Sequence, residues 1–128
     1  MKFSCNGKDF EIPDSWQTKA KVLGWTSAAT FYPAAADPHY PTVVIPLHFI
    51  APPERDPGTP WFDEARMVRI LQGLRSGIPL PPIEIHEPPD KSMFRYAIRD
   101  GFHRFYASAA LGFTHLPVTV YPYFAFDS

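Results

Sequence analysis

The sequence contains a single cysteine, Cys5, so no intrachain disulfide can form. This composition favours a reducing compartment, and we expect a cytoplasmic protein. No apolar run is long enough for a signal peptide or a membrane span, so we expect no membrane partner. Lysine and arginine number 12 against 13 aspartate and glutamate residues, which gives a net charge of -1. This balance provides no general attraction to nucleic acid, so any anion site must be local.

Several familiar site motifs are also missing. The sequence has no glycine-rich P-loop and no Gly-x-Ser-x-Gly nucleophile turn. Its histidines are His39, His48, His86, His103 and His115. Their positions show no ligand spacing such as His-x-x-x-His, so we expect no metal site built from them. The Walker-type nucleotide-binding class and the zinc-enzyme class are therefore not indicated.

Proline, in contrast, is abundant, with 16 residues in a chain of 128. An ordinary protein has about 5% proline, so this chain should have rigid, irregular connections between few regular elements. The hydrophobic fraction of 45% is sufficient for one core, and the length suits a single domain. We expect residues 43–121 to form that core domain and residues 1–42 to be an N-terminal extension packed on it.

The N-terminal pattern predicts a hairpin and a short helix. Asn6-Gly7 is a strong hairpin-turn signal between predicted strands at residues 1–5 and 9–12. A helix is predicted over residues 16–23, with Gly24 as its end.

The rest of the chain alternates strand and helix signals. A buried strand is predicted at residues 42–46, further strands at 82–86, 94–98 and 116–121, and a helix at 102–111. The last strand–helix–strand series resembles a compact βαβ-like unit. The expected fold is therefore α/β, of the α+β kind, with a mixed sheet flanked by short helices.

The clearest helix is predicted between Thr59, as the N-cap, and Gly77. Its buried stripe has the spacing i, i+3, i+4, i+7 and consists of Met67, Ile70, Leu71 and Leu74. Arg66, Arg69 and Arg75 fall largely outside this stripe, where a solvated face is a more common role than nucleic-acid contact.

The most informative segment is Asp100-Gly101-Phe102-His103-Arg104, between a predicted strand and a predicted helix. A helix N-terminus presents unpaired N–H groups and a positive dipole end. Gly101 leaves room for a ligand, Arg104 can grip phosphate oxygens in a fork, and His103 can donate a hydrogen bond. Asp100 can order the turn, orient His103 or bind a metal that bridges phosphates. The pattern predicts an anion site, and the alternative is an ordinary Asp-Gly turn followed by a solvated helix start.

This segment opens a series of blocks that resembles the signature of the ParB/sulfiredoxin superfamily. The blocks are Asp100-Gly101-Phe102-His103-Arg104-Phe105-Tyr106-Ala107, Leu111-Gly112-Phe113 and Leu116-Pro117-Val118-Thr119-Val120. Upstream, Leu80-Pro81-Pro82-Ile83-Glu84-Ile85 and Ile45-Pro46-Leu47-His48-Phe49-Ile50 resemble two strands of that family, and Glu54-Arg55 resembles its polar loop.

The resemblance implies a nucleotide site. Members of this superfamily include a CTP-binding partition domain, the ATP-using sulfinic acid reductase sulfiredoxin and an ADP-dependent serine kinase. The resemblance therefore implies ATP, ADP or CTP as the cofactor, with or without magnesium, and phosphate contacts from Gly101, His103 and Arg104. It also implies catalytic roles for Asp100, Glu54 and His103 if the domain is an enzyme.

The chain also departs from the family pattern. Sulfiredoxin has its reactive cysteine after the glycine, where this chain has Phe102, so we expect no thiol-based chemistry.

Three functions stay open at this point. The first is a nucleotide- or phosphate-binding domain that catalyses phosphoryl transfer or nucleotide hydrolysis. The second is a non-catalytic protein-interaction domain on the same fold. The third is a DNA-binding or nuclease-type ParB-like protein, for which Asp100, Glu54 and Asp56 supply only a loose set of carboxylates.

Overall fold

The computed structural model describes residues 1–88 and 93–122. Within them the strands are β1 (Lys2–Cys5), β2 (Lys8–Glu11), β3 (Val43–Pro46), β4 (Ile83–His86), β5 (Ala97–Asp100) and β6 (His115–Val120). The helices are α1 (Asp14–Ala20), α2 (Glu64–Ser76) and α3 (Phe102–Ala110), and a single 3₁₀ turn spans Leu47–Phe49. No helix in this part of the chain has the length and apolarity that crossing a bilayer requires.

Four strands form one mixed sheet in the order β3-β6-β4-β5. Strand β6 pairs antiparallel with β3 and parallel with β4, while β4 pairs antiparallel with β5. The predicted mixed sheet is therefore confirmed. The βαβ-like interpretation of β5, α3 and β6 is wrong, because β4 lies between β5 and β6 and supplies the parallel partner.

The N-terminal hairpin forms as predicted. Strands β1 and β2 pair antiparallel, and Asn6 and Gly7 have φ angles of 51° and 85° at the turn. Such positive φ values at both central residues are typical of the tight turns that match strand twist. The Asn6 side-chain amide also donates hydrogen bonds to the carbonyl oxygens of Leu47 (3.0 Å) and Ile50 (2.7 Å). The hairpin turn is thereby fixed to the segment that follows β3.

Two predicted helix boundaries are wrong. The C-cap of helix α1 is Lys21, which adopts the left-handed conformation with φ 60°, rather than Gly24. The N-cap of helix α2 is Asp63, whose side chain accepts a hydrogen bond from the backbone N–H of Arg66, rather than Thr59. An aspartate is as good an N-cap as a threonine, so composition alone did not choose between them. Gly77 ends α2 with φ 75°, as predicted.

Two strands also differ from the prediction. Strand β3 lies at a sheet edge, and its Val43 and Val44 are exposed although an apolar run predicted burial. Strand β5 begins at Ala97, and Tyr96 makes only an isolated bridge to Ile50.

One hydrophobic cluster joins the helices, the mixed sheet and the N-terminal hairpin. The predicted stripe of α2 contributes Met67, Leu71 and Leu74, all buried. Phe10 of the hairpin contacts the rings of Phe62 and Tyr106. The residues before β3 therefore share the same core as the sheet and α3.

Candidate functional site

A cavity of about 650 Å³ opens at the N-terminal end of α3. Its walls come from the loop after the 3₁₀ turn, from α2, from the segment before β4 and from the junction of β5 with α3. The five residues predicted for the nucleotide site all line this cavity: Glu54, Asp100, Gly101, His103 and Arg104. Asp56, the third carboxylate of the nuclease alternative, is not part of the lining. The fold thus brings the polar loop and the Gly101 turn together, although they are distant in sequence.

Gly101 is the N-cap of α3 and has φ 122° and ψ 31°, a backbone conformation that residues with a side chain rarely adopt. A Cβ atom here would lie 3.1 Å from both Cγ1 and Cγ2 of Ile83 in β4. No side chain caps the helix, so the first N–H groups of α3 have no side-chain acceptor at the cavity wall. The local geometry is that of a helix start open to an anion.

The strongest electrostatic feature of the cavity is its arginine content. Five of the seven arginines in the chain line it: Arg55, Arg66, Arg69, Arg99 and Arg104. Only two carboxylates, from Glu54 and Asp100, belong to the same lining. A chain with a net charge of -1 therefore concentrates positive charge at one place. The sequence did not predict this cluster, because the arginines come from three separate segments.

Of the four arginines that the sequence did not assign to the site, Arg99 is paired with Glu84 at 3.3 Å, and the other three differ in their surroundings. The guanidinium group of Arg55 lies 3.9 Å from the ring centre of Phe102, and its Nε atom is buried without a hydrogen-bond partner. Arg66 and Arg69 project from α2 at a spacing of three residues and are exposed. In the described part of the chain none of these three side chains forms an ion pair. Their charges are available to a ligand.

His103 is buried and connects the two helices of the site. Its Nε2 atom accepts a hydrogen bond of 3.0 Å from the backbone N–H of Asp63, the N-cap of α2. Burial, together with the positive charges of Arg55 and Arg66, lowers the pKa of His103 to about 4. His103 is therefore neutral at pH 7, and a proton on Nδ1 is the one it can donate.

This arrangement predicts a specific pH dependence of stability. The unfolded chain binds a proton at His103 below its ordinary pKa of 6.5, whereas the folded chain binds it only near pH 4. The free energy of unfolding should therefore decrease as the pH falls from 6.5 to 4, by up to about 3 kcal/mol. Urea denaturation at a series of pH values should show this slope in the wild type and a shallower slope in His103→Gln. Equal slopes in both proteins would show that His103 is not a buried neutral imidazole.

Arg104 lines the cavity and also forms hydrogen bonds with the protein backbone. Its Nη1 donates hydrogen bonds to the carbonyl oxygens of Pro81 and Pro82, the latter at 2.9 Å. Its Nη2 lies 3.4 Å from Oδ2 of Asp100, and only 12% of the Arg104 side chain is exposed. The sequence predicted a phosphate contact here, and the structure adds a structural role for the same guanidinium group.

Two tyrosine hydroxyls form hydrogen bonds with backbone segments that line the cavity. The hydroxyl of Tyr32 donates to the carbonyl oxygen of Pro81 at 2.9 Å, and that of Tyr106 donates to the carbonyl oxygen of Pro53 at 2.7 Å. Burial raises the pKa of Tyr32 to about 12, and it also raises the pKa of Tyr106. Both hydroxyls therefore stay protonated, and they fix proline-rich segments that have few backbone donors of their own.

Each carboxylate of the cavity has a cationic partner. Asp100 is paired with Arg104, and Glu54 lies 3.4 Å from the Nζ atom of Lys8 in the N-terminal hairpin. Over residues 1–88 and 93–122 no three His, Cys, Asp or Glu side chains form a group that could hold a metal ion.

Solved structures of other proteins share this arrangement of strands and helices. No family profile and no curated protein sequence matches the chain. A C-terminally truncated chromosome-partitioning protein ParB from Caulobacter crescentus, complexed with CTP-gamma-S, superimposes with a TM-score of 0.50 and 22% sequence identity. The match covers 66% of this chain and 46% of the ParB chain. The chain has the ParB/sulfiredoxin-like fold. The fold that the sequence blocks implied is therefore confirmed.

Sulfiredoxin from Arabidopsis thaliana is also similar, with a TM-score of 0.46 and 22% identity over 64% of this chain and 85% of its own. The present chain spans less than half the length of the ParB chain that it matches.

In this chain the position after Gly101 carries an aromatic ring, that of Phe102. Phe102 contacts Arg55 and the rings of Trp61 and Tyr106. Cys5 is buried in the core and does not line the cavity, and burial raises its pKa to about 12. A thiol nucleophile at this cavity is therefore not available from Cys5.

Proposed function

We propose that the cavity binds the phosphate groups of a nucleotide. The observation that carries this proposal is the convergence of five arginines on the uncapped start of α3. Guanidinium groups and backbone N–H groups are the donors that bind phosphate oxygens best, and both are held here by the fold. Gly101 contributes its backbone, while Arg55, Arg66 and Arg69 contribute charges that have no counterion among residues 1–88 and 93–122.

The remaining lining suits the rest of a nucleotide. Besides the arginines, the lining includes the apolar residues Ile70, Leu80, Pro81 and Ile98. A ligand that combines a charged phosphate chain with a flat, less polar base suits a lining of both kinds. ATP, ADP and CTP all have this character, and the neighbouring ParB structure was solved with CTP-gamma-S.

We further propose that the site serves phosphoryl transfer or nucleotide hydrolysis. Such reactions depend on positioning and on stabilising charge at the phosphates, which the arginines supply. Glu54 and Asp100, the carboxylates of the lining, are our candidates for a general base. The same two side chains would hold a magnesium ion, which is commonly bound by one or two carboxylates together with substrate phosphates. His103, neutral and buried, serves as a hydrogen-bond donor rather than as a proton carrier.

Calorimetric titration of the wild-type protein tests the binding step. ATP, ADP, CTP and pyrophosphate should bind, each with magnesium and with EDTA in parallel, and adenosine and cytidine should bind at least tenfold more weakly. Affinity should fall as salt increases, because the phosphates are held by charge. Equal affinity for nucleoside and nucleotide, or no binding of either, would contradict the proposal.

A further inference from the structure

Glu54 lies in an unusual electrostatic position. It lines the cavity with five arginines, yet its ion pair is with Lys8 of strand β2, at 3.4 Å. Three of these arginines, Arg55, Arg66 and Arg69, have no ion-pair partner in the described part of the chain. A flexible carboxylate beside them should be drawn to their guanidinium groups, where it would occupy the place of a phosphate. The ion pair with Lys8 therefore keeps the Glu54 carboxylate from pairing with the cavity arginines.

Lys8 is held in place by several contacts. Its Nζ lies 5.0 Å from the ring centre of Trp61, and only 35% of its side chain is exposed. The hairpin that carries it is fixed by the hydrogen bonds of Asn6 to two backbone carbonyl oxygens, and by Phe10 in the core. The ammonium group is thus a fixed partner, whereas the Glu54 side chain is 75% exposed and free to change rotamer.

We propose that Lys8 is a positioning residue that holds the Glu54 carboxylate away from the arginine cluster and so keeps the cavity open to the ligand's phosphates. This inference rests on the proposed nucleotide-binding function. Without Lys8, Glu54 turns into the cavity and competes with phosphate for Arg55, Arg66 and Arg69. The N-terminal hairpin thereby controls the affinity of a site to which it contributes no phosphate contact.

A double-mutant cycle measured by calorimetric titration with ATP tests this role. Lys8→Met removes the charge and keeps an unbranched apolar side chain against Trp61. It should weaken ATP binding about three- to fivefold, the range that an exposed ion pair allows. In the Glu54→Gln background the same change should alter affinity less than about twofold, because position 54 no longer carries a carboxylate that competes with phosphate. Lys8→Arg should bind ATP like the wild type.

Lys2→Met is the matched control, since Lys2 belongs to the same hairpin and does not line the cavity. It measures the effect of one lost positive charge, which should be small at physiological salt. An equal loss of affinity from Lys8→Met with and without Glu54 would show that Lys8 acts only through its charge and would overturn the inference, while nucleotide binding stands. Failure of the wild-type protein to bind ATP, CTP or pyrophosphate would overturn both.

Discussion

Arg104→Ala is expected to lower the free energy of unfolding by about 2–4 kcal/mol, in the absence of any nucleotide. The substitution removes charge-assisted hydrogen bonds to the carbonyl oxygens of Pro81 and Pro82, and hydrogen bonds to charged groups contribute about 1.5–3 kcal/mol each. Tyr32 still donates to Pro81, which limits the loss, while Pro82 has no other hydrogen-bond donor described. Urea denaturation followed by circular dichroism measures the change.

Arg99→Ala is the matched control for this prediction. Arg99 lines the same cavity, but its ion pair with Glu84, at 3.3 Å, is partly exposed, with 49% of the Arg99 side chain accessible. Such pairs contribute little, so this variant should lose less than about 1 kcal/mol. If Arg104→Ala were as stable as Arg99→Ala, Arg104 would be a ligand residue alone, and the structural role that its hydrogen bonds indicate would be refuted.

The second large effect concerns the two α2 arginines of the cavity. Arg66→Gln combined with Arg69→Gln should weaken ATP binding by on the order of a hundredfold, because each guanidinium group can form charge-assisted hydrogen bonds with phosphate. Glutamine has a similar helix propensity, and both arginine side chains are exposed, so the melting temperature should hardly change. Calorimetry and thermal unfolding of the same samples separate affinity from stability.

Arg75→Gln provides the comparison. Arg75 lies on the same helix, but its guanidinium group is 5.0 Å from the ring centre of Trp25 and does not line the cavity. This variant loses one positive charge and should keep wild-type affinity within about twofold, because distant exposed charges are screened by salt. Equal losses of affinity from the α2 pair and from Arg75 would mean that the effect is general attraction rather than a site.

Much of the fold was predictable because local signals agreed with the tertiary structure. The Asn6-Gly7 turn, the apolar stripe of α2 and its Gly77 end all follow from spacing and backbone preference. The Gly101 turn was predictable for the same reason, since few residues tolerate its φ of 122°. The order of the strands in the sheet was harder to predict, because β4 lies between β5 and β6 through pairing between residues that are far apart in sequence.

The composition of the site was predictable only in part. Arg66 and Arg69 have the sequence pattern of a solvated helix face, and only the packing of α2 beside α3 makes that face a cavity wall. The pairing of Glu54 with Lys8 joins residues that are far apart in sequence. The low pKa of His103 depends on burial and on two arginines from other elements, so no local pattern could indicate it.

The most direct test of a phosphate site at this cavity is to measure which NMR chemical shifts change when a nucleotide binds. In ¹H–¹⁵N spectra of the labelled wild-type protein, ATP should shift the amide signals of Phe102, His103 and Arg104 and the Nε–H signals of Arg55 and Arg66. The hairpin residues Ser4 and Asp9, which do not line the cavity, should shift little. Shifts centred on the hairpin, or none around the start of α3, would contradict a phosphate site at this cavity.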